Sequence, residues 1–312
     1  MFMRLQALLV KPEVTYGLDP VPTGAANALL AQNVKIMPMK GTDVKRDYDR
    51  AFFSADATVP VGLHMSIAFE VELKGGGVAG TPPAFGPLLR ACKWAQVIVA
   101  VTSVTYTPHS GTQESCTIYW YLDGQLYKLI GARGTFSYKL NAQGIPVLAF
   151  EMTGLWAAPS AVAIPAVTLG TQLTQIPQVA TSLNTPTFTY GGTPLILRSF
   201  TFDAGAEVKP RFLVGSESVI ITDAKESVKF IIETPALGTF NPVALAAAAT
   251  TAAVILVHGT GAGKICTLNM PAVQIQRPEG LDDQDGIVEN SLSGVPLPVA
   301  VTGNDQASLA FT

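Results

Sequence analysis

The sequence predicts a mainly β protein made of two tandem β-sandwich or barrel domains, each with one short α-helix. Three observations predict this fold: apolar residues alternate with the period of a strand, short hairpin turns recur, and one order of elements occurs twice in 312 residues. A hydrophobic fraction of 48% supplies a large core, while only 14% of the residues are charged, well below the usual quarter.

The first strands are marked by alternation and by a turn pair. In residues 59–73 every second side chain is apolar, which places Met65, Ile67, Phe69, Val71 and Leu73 on one face. Two β-rich runs, 115–122 and 125–130, flank Asp123-Gly124, a pair that favours a type I′ hairpin turn. We therefore predict a strand followed later by a tight hairpin.

The first half contains one helix candidate and a second hairpin. Residues 86–94 open with Gly86-Pro87, and proline is favoured in the first helical turn because its missing N–H costs nothing there. Residues 96–107 are rich in β-branched side chains, and residues 133–140 and 145–153 form a further strand–turn–strand pattern.

A charge-free segment separates the two halves. Residues 157–186 contain four prolines and no charged residue, which is typical of an extended linker or strap. We therefore predict a first β domain over 1–160, a Pro-rich strap over 161–186, and a second β domain over 187–312.

The second half repeats the order of the first. The pattern G-x-[DE]-V-K occurs at 41–45 and again at 205–209, and the strand around Phe69 matches the strand around Phe230. A second helix candidate opens at Asn241-Pro242, as the first opens at Gly86-Pro87. This order predicts an internal duplication rather than a solenoid, whose repeats are 20–50 residues long.

The sequence contains no complete motif for catalysis, phosphate binding or metal binding. Residues 259–264 (GTGAGK) resemble a phosphate-binding loop, but Ile265 stands where Ser or Thr is required, and strand-like runs flank the segment, which predicts a hairpin turn. The three histidines (His64, His109 and His258) have no metal-ligand spacing and are interpreted as surface or turn residues. The three cysteines (Cys92, Cys116 and Cys266) are predicted to be buried free thiols.

Composition limits the remaining function classes. The net charge of −3 excludes a basic surface that binds nucleic acid tightly, and the apolar stretch 242–257 is too short and too dilute to span a membrane. The aromatic run 119–121 could stack on sugars, although alternation in a strand predicts that one or two of its rings belong to the core. We predict no catalytic, cofactor or metal residues, and hence no enzyme.

Longer stretches of the chain resemble a known family. KPEVTYGLDPVPTGAANALLAQNVKIMPMKG near the start, FEVELKGGGVAGTPPAFGPLLRACKWA after it and FLVGSESVIITD in the second half are similar to major tail tube proteins of long-tailed, siphovirus-type bacteriophages. The resemblance covers nearly the whole chain and is weakest after Leu237. It implies tail-tube-type domains that contribute strands to a shared inner β-barrel, in a duplicated-domain form.

The resemblance also implies an assembly. Tail tube rings have six domain positions, so a duplicated chain suggests a trimer with pseudo-six-fold symmetry, stacked head to tail. Its partners would be further copies of itself, other tail proteins at the tube ends, and duplex DNA that passes through the lumen without specific binding. The expected location is the virion tail, after synthesis in the host bacterial cytoplasm, with no membrane partner and no cofactor.

One loop is the candidate for the contact between rings. Residues 46–58 combine charges with aromatic side chains, and the predicted contact arm comprises Asp47, Tyr48, Asp49, Arg50, Phe52 and Phe53. The predicted equivalents in the second domain are Arg211, Phe212 and Glu217. Packing of Phe52 and Phe53 inside their own domain is the open alternative.

Two other function classes remain as rivals. A two-domain β-sandwich adhesin or carbohydrate-binding tail protein predicts exposed aromatic side chains in a groove. An enzyme on the same scaffold predicts convergent acids in a pocket, and the sequence offers no such constellation.

Overall fold

The structure is a computed structural model that describes residues 2–312; residue 1 of the predicted first domain lies outside the described residues. Within that range the protein is mainly β, which confirms the predicted fold class. The described residues form four short helices, α1 (Gly24–Asn27), α2 (Gly86–Ala91), α3 (Thr171–Thr174) and α4 (Pro242–Ala247). Two of them, α2 and α4, are the predicted helices.

The first half of the chain supplies ten strands. They are β1 (Gln6–Pro12), β2 (Ala28–Leu29), β3 (Gln32–Lys45), β4 (Thr58–Glu72), β5 (Trp94–Val99), β6 (Ser103–Pro108), β7 (Cys116–Leu122), β8 (Gln125–Asn141), β9 (Val147–Leu155) and β10 (Ser160–Ala161). Helix α2 ends before residue 94 because Lys93 has a φ of 67° and Trp94 begins β5.

The second half supplies the remaining strands. They are β11 (Thr187–Tyr190), β12 (Thr193–Pro194), β13 (Leu197–Asp203), β14 (Ala206–Leu213), β15 (Ser216–Ala224), β16 (Ser227–Glu233), β17 (Thr251–His258), β18 (Cys266–Ile275), β19 (Leu281–Gln284), β20 (Ile287–Pro296) and β21 (Ser308–Phe311).

Hairpin turns form where the sequence predicts them. Strands β7 and β8 are joined by Asp123 and Gly124, whose φ angles of 40° and 89° are both in the left-handed region that a type I′ turn requires. Strands β8 and β9 form the second predicted hairpin. Residues 259–265 connect β17 to β18, which confirms a hairpin turn in place of a phosphate-binding loop.

Eight antiparallel positions form one continuous sheet, named here the central sheet. The first seven positions are β3-β4-β9-β8-β13-β16-β20. Two segments share the eighth position, because the end of β18 and then β19 both pair with the outer edge of β20. Four positions come from each half of the chain. The two sets meet where β8 pairs with β13, with Ser137 opposite Asp203 and Asn141 opposite Ser199. The predicted duplication corresponds to these two four-stranded units in series.

Smaller sheets cover the other side of the core. In the first half, β2, β1, β7, the start of β8 and β10 are paired in that order. In the second half, β11, β17, β18, β21, β6 and β5 are paired in that order. The β-branched run 96–107 is thus two strands with a turn at 100–102, and it joins the sheet of the other half.

The core lies between the central sheet and these covering sheets. Phe69, Phe136 and Phe150 stack in the first half, where centroids are 5.8 Å apart for Phe69–Phe150 and 5.9 Å for Phe136–Phe150. Phe200 continues the core across the junction, with ring centroids 6.0 Å from Tyr138. The alternating residues predicted for the first long strand are all buried, which confirms that periodicity.

The segment predicted as a strap packs along the surface of the first half. Ile164 and Leu169 cover Tyr119 and Tyr121, so all three rings of the aromatic run 119–121 are buried. The prediction that only one or two of them are core residues was wrong, because the alternate face of β7 is covered by this segment. The domain boundaries at 160 and 186 stay a prediction.

Candidate functional site

The side of the central sheet that faces away from the core forms a broad polar face. Its side chains alternate along each strand with the buried core residues, and most of the uncharged ones are Ser, Thr or Ala. Its charged residues include seven acids (Glu70, Glu72, Glu151, Asp203, Glu233, Asp282 and Glu289) and four lysines (Lys35, Lys40, Lys139 and Lys229). Arg133 is on the same side of the sheet but is buried beneath the β14–β15 hairpin. The polar face of the described strands therefore carries a net negative charge.

Carboxylates neutralise most of the cations on this face. Lys139 Nζ lies 3.6 Å from Glu70 Oε1, and Lys229 Nζ lies 3.4 Å from Glu279 Oε1. Arg198 joins the face at a bulge in β13, and its Nε donates to Glu289 Oε2 at 2.6 Å. Paired cations bind phosphate weakly, because tight binding needs several free cations whose contacts release counterions.

The predicted contact arm projects from the sheet. Residues 46–57 connect β3 to β4, and Phe52 and Phe53 have exposed fractions of 66% and 108%. Arg50 pairs with Asp56 and lies over the Phe52 ring at 5.8 Å from its centroid. The alternative in which both phenylalanines pack into their own domain is therefore wrong.

Arg46, Tyr48 and Arg50 give the arm its local structure. Tyr48 accepts a hydrogen bond from Arg46, whose guanidinium is 5.0 Å from the Tyr48 ring centroid. Arg50 approaches the same ring at 5.7 Å. Asp47 and Asp49 are exposed beside them. The arm thus presents aromatic rings flanked by cations and acids, a composition suited to a protein partner.

The predicted equivalents in the second half lie on the hairpin β14–β15. Phe212 and Glu217 are directly opposite each other, and Arg211 precedes them. Phe212 is half-buried against the first half of the same chain, with its ring centroid 6.0 Å from that of His64. Arg211 and Glu217 are exposed. The two hairpins therefore differ: one rests on its own chain, and the other projects from it.

Arg133 holds the β14–β15 hairpin to the first half. Its guanidinium donates to the backbone carbonyls of Val219 at 2.6 Å, Gln113 at 2.9 Å and Glu114 at 3.1 Å. The guanidinium also lies 4.5 Å from the ring centroid of Tyr16. Tyr16 holds the same hairpin, because its Oη accepts a hydrogen bond from the Val219 N–H at 2.6 Å. Burial lowers the pKa of Arg133 and raises that of Tyr16.

Sequence reasoning missed this clamp. The signal available in the sequence was a lone arginine, Arg133, among the small and apolar residues that open the strand 133–140. A buried cation must find several acceptors, but the sequence cannot say that they come from residues about 20 and 86 positions away.

The residues with potential chemistry are spread through the fold. All three cysteines are free and buried, as predicted. His258 is buried rather than at the surface, so that prediction was wrong: it bonds to the Thr185 hydroxyl at 3.0 Å and the Gln178 carbonyl at 3.1 Å. Among residues 2–312, no group of three or more His, Cys, Asp or Glu side chains is arranged to hold a metal ion.

The exposed aromatic rings bear on the alternative of a carbohydrate-binding protein. The exposed aromatic rings Tyr48, Phe52 and Phe53 project on the arm, while the aromatic run 119–121 is buried and offers no platform for a sugar. No helix in the described part of the chain is long and apolar enough to cross a membrane.

Comparison with known proteins agrees with this architecture. No curated protein sequence matches the chain. A family model described as phage tail tube protein matches residues 3–303, which is nearly the whole chain. The chain therefore belongs to the phage tail tube protein family, a structural component of the bacteriophage tail.

Proposed function

We propose that this protein forms trimeric rings that stack head to tail into a hollow tube, through which the genome of a siphovirus-type phage passes to the host. The observation that carries the proposal is the central sheet, in which two four-stranded units follow one another in a single continuous antiparallel sheet. Three chains in series supply six such units, the number of domain positions in a tail tube ring.

Strand geometry supports a channel of useful width. Three chains of eight strand positions give a barrel of 24 strands. At about 4.8 Å per strand and a tilt near 40°, the circumference is about 150 Å and the backbone diameter about 48 Å. Side chains then leave an opening of about 35–40 Å, which admits duplex DNA.

The charge of the polar face supports its assignment to the lumen. DNA slides through a conduit only if the wall does not hold its phosphates, and cationic clusters are what hold them. Lys139 and Lys229 are each paired with a carboxylate, and acids outnumber lysines on this face. The lumen would thus repel the DNA weakly and bind no particular sequence.

The arm supplies the proposed contact with the adjacent ring. The loop 46–57 is much longer than the tight turn at Val214-Gly215 that ends the β14–β15 hairpin, and it carries the exposed Phe52 and Phe53. These rings are the proposed apolar anchors, with Asp47, Asp49 and Arg50 at their rim. Arg211, Phe212 and Glu217 form the corresponding surface of the second half in this proposal. Other tail proteins cap the tube, and assembly follows synthesis in the host cytoplasm.

Electron microscopy of the purified protein tests this function. Rings or tubes with a central channel are the expected result, and a stable monomer at high concentration would overturn the proposal. The double variant F52S/F53S should form rings but few long tubes, since an exposed apolar pair is removed without touching the core. The variant I176S removes another exposed apolar side chain and should leave tubes unchanged.

A further inference from the structure

The central sheet ends in two strands whose outer edges are free. Within residues 2–312, β3 pairs only with β4, and β19 pairs only with β20. All four residues of β19 are exposed, and so are twelve of the fourteen residues of β3. Free edges present unpaired backbone N–H and C=O groups that accept a further strand.

The junction between the two halves of the chain shows how such edges can pair. In the first half, the last position of the central sheet is filled by β8, which pairs with β13, the first strand that the second half gives to this sheet. In the second half, the last position is filled by β19, which extends the line of β18. Since β3 is the first strand that the first half gives to the central sheet, the β8–β13 junction would be repeated between chains if β3 of a neighbouring copy paired with β19.

Cross-strand pairs show which residue of β19 corresponds to which residue of β8. The strands β4 and β16 match with an offset of 161, which relates Phe69 to Phe230 and Glu72 to Glu233. Glu72 in β4 lies opposite Val147 in β9, which in turn lies opposite Lys139 in β8. Glu233 in β16 lies opposite Glu289 in β20, which in turn lies opposite Asp282 in β19. Asp282 therefore occupies the position of Lys139.

The same procedure relates β3 to β13. Ala68 and Lys229 share the offset of 161, and they lie opposite Lys35 and Thr201 respectively. Lys35 therefore occupies the position of Thr201. Because Lys139 lies opposite Thr201 at the junction inside the chain, Asp282 should lie opposite Lys35 at the junction between chains.

We propose that β3 of one copy pairs antiparallel with β19 of the next copy around the ring, with Lys35 opposite Asp282 and Ile36 opposite Leu281. This inference rests on the proposed ring and names the edges and the register that close it. The partner is thus a second copy of this chain, bound through a heterologous contact whose two surfaces differ.

Charge and burial complement each other across this junction. Strand β3 carries Lys35, Lys40, Lys45 and one acid, whereas the segment around β19 carries Glu279, Asp282, Asp283 and Asp285 against Arg277 alone. Lys35 forms no ion pair in the part of the chain that the structure describes. Leu281, which is 67% exposed, corresponds to the buried Tyr138 and would be covered by Ile36 of the neighbour.

The adjoining hairpin supports the same neighbour. At the junction inside the chain, β15 turns Val219 and Ile221 toward the first half, and both are buried. The outer part of the β3–β4 hairpin turns Val59 and Val61 outward with exposed fractions of 46% and 39%. These two valines lack the cover that the second hairpin finds in its own chain, and the second half of the adjacent copy can provide it.

Disulfide trapping tests the register. In the variant K35C/D282C the two cysteines face each other across the junction, within reach of a disulfide, while Cys92, Cys116 and Cys266 are buried and stay reduced. Bonding within one chain is excluded, because the two strands lie seven strand spacings, about 34 Å, apart. Mild oxidation should give covalent dimers and trimers, and the control K35C/D285C should give far fewer.

Charge reversal provides the second test. K35E places like charges opposite each other at every junction and should reduce the yield of rings by at least tenfold, and D282K should do the same. The double variant K35E/D282K restores opposite charges at each junction and should restore the rings. The control K35E/D285K should not restore them. Rings that form without the K35C/D282C disulfide would overturn this inference and leave the proposed function standing. A wild-type protein that forms no ring would overturn both.

Discussion

Replacement of Arg133 should loosen the hairpin that joins the two halves of the chain. The guanidinium is buried and serves three backbone carbonyls and the Tyr16 ring at once. Arg133→Met keeps the length of the aliphatic stem but removes all four interactions. The perturbation is therefore confined to the clamp and leaves the packing of the strand nearly unchanged.

The expected cost is about 3 kcal/mol. The Val219 carbonyl loses its donor in a buried place, which costs about 1–3 kcal/mol. The carbonyls of Gln113 and Glu114 are partly accessible and recover water, so each contributes about 0.5 kcal/mol. The contact with Tyr16 adds about 0.5–1 kcal/mol. This total corresponds to about a hundredfold change in a local equilibrium constant.

Hydrogen exchange measured by mass spectrometry detects this loss in peptides that cover β15. Amides of residues 219–221 should exchange about a hundredfold faster in Arg133→Met, because the opening free energy of the hairpin falls. Arg90→Met is the matched control, since Arg90 forms a solvent-exposed pair with Glu114 worth at most about 1 kcal/mol. Equal exchange rates in the two variants would refute the role assigned to Arg133.

Three further predictions concern stability. Burial lowers the pKa of His258 below its value in the unfolded chain. The contribution of the neutral imidazole to the free energy of unfolding is therefore fully present above about pH 6.5 and is lost as the pH falls below that value. H258Q should flatten this pH dependence in thermal unfolding. G263A should be about 1–3 kcal/mol less stable in urea than G261A: both positions have a positive φ, but only the new Cβ of G263A meets backbone atoms, at 2.5 Å. F200A should lower the free energy of unfolding by about 3–5 kcal/mol, and T201A by less than about 1 kcal/mol.

Each of these expectations has a result that contradicts it. An unchanged pH profile in H258Q would mean that another group controls acid unfolding. Equal stability of G263A and G261A would mean that the two glycine-rich loops, which meet at Gly77 and Gly263, separate at little cost. A small effect of F200A would mean that the core is not continuous across the junction of the halves.

Local patterns predicted most of the individual elements. Alternation around Phe69, the Asp123-Gly124 turn and the Pro87 helix start each reflect a preference that acts within a few residues. The pairing of β6 with β21 was not predictable in this way, because it joins Val104 to Phe311 across two hundred residues and both halves. Strand partners that distant depend on the whole topology rather than on local propensity.

The two candidate surfaces, the arm and the polar face, were likewise only partly predictable from the sequence. The aromatic and charged composition of the arm was visible in the sequence, but the exposure of Phe52 and Phe53 was not, since an apolar pair in a loop packs inward or outward with equal ease. The acidity of the polar face was visible in only one strand, where alternation places Glu70 and Glu72 opposite the apolar side chains. Its full extent emerges when Glu72 and Glu233, which are 161 residues apart, are placed on one side of one sheet.

The sequence alone determined the class of the fold and the family resemblance and predicted an internal duplication, because alternation, turn chemistry and repeated motifs are properties of short stretches. Only the tertiary structure decided that the two halves share one sheet through β8 and β13, that one hairpin is clamped by Arg133 while its counterpart projects freely, and that β3 and β19 are left as open edges. The physical reason is that backbone pairing carries no sequence label: which edges stay open depends on every other strand having found its partner.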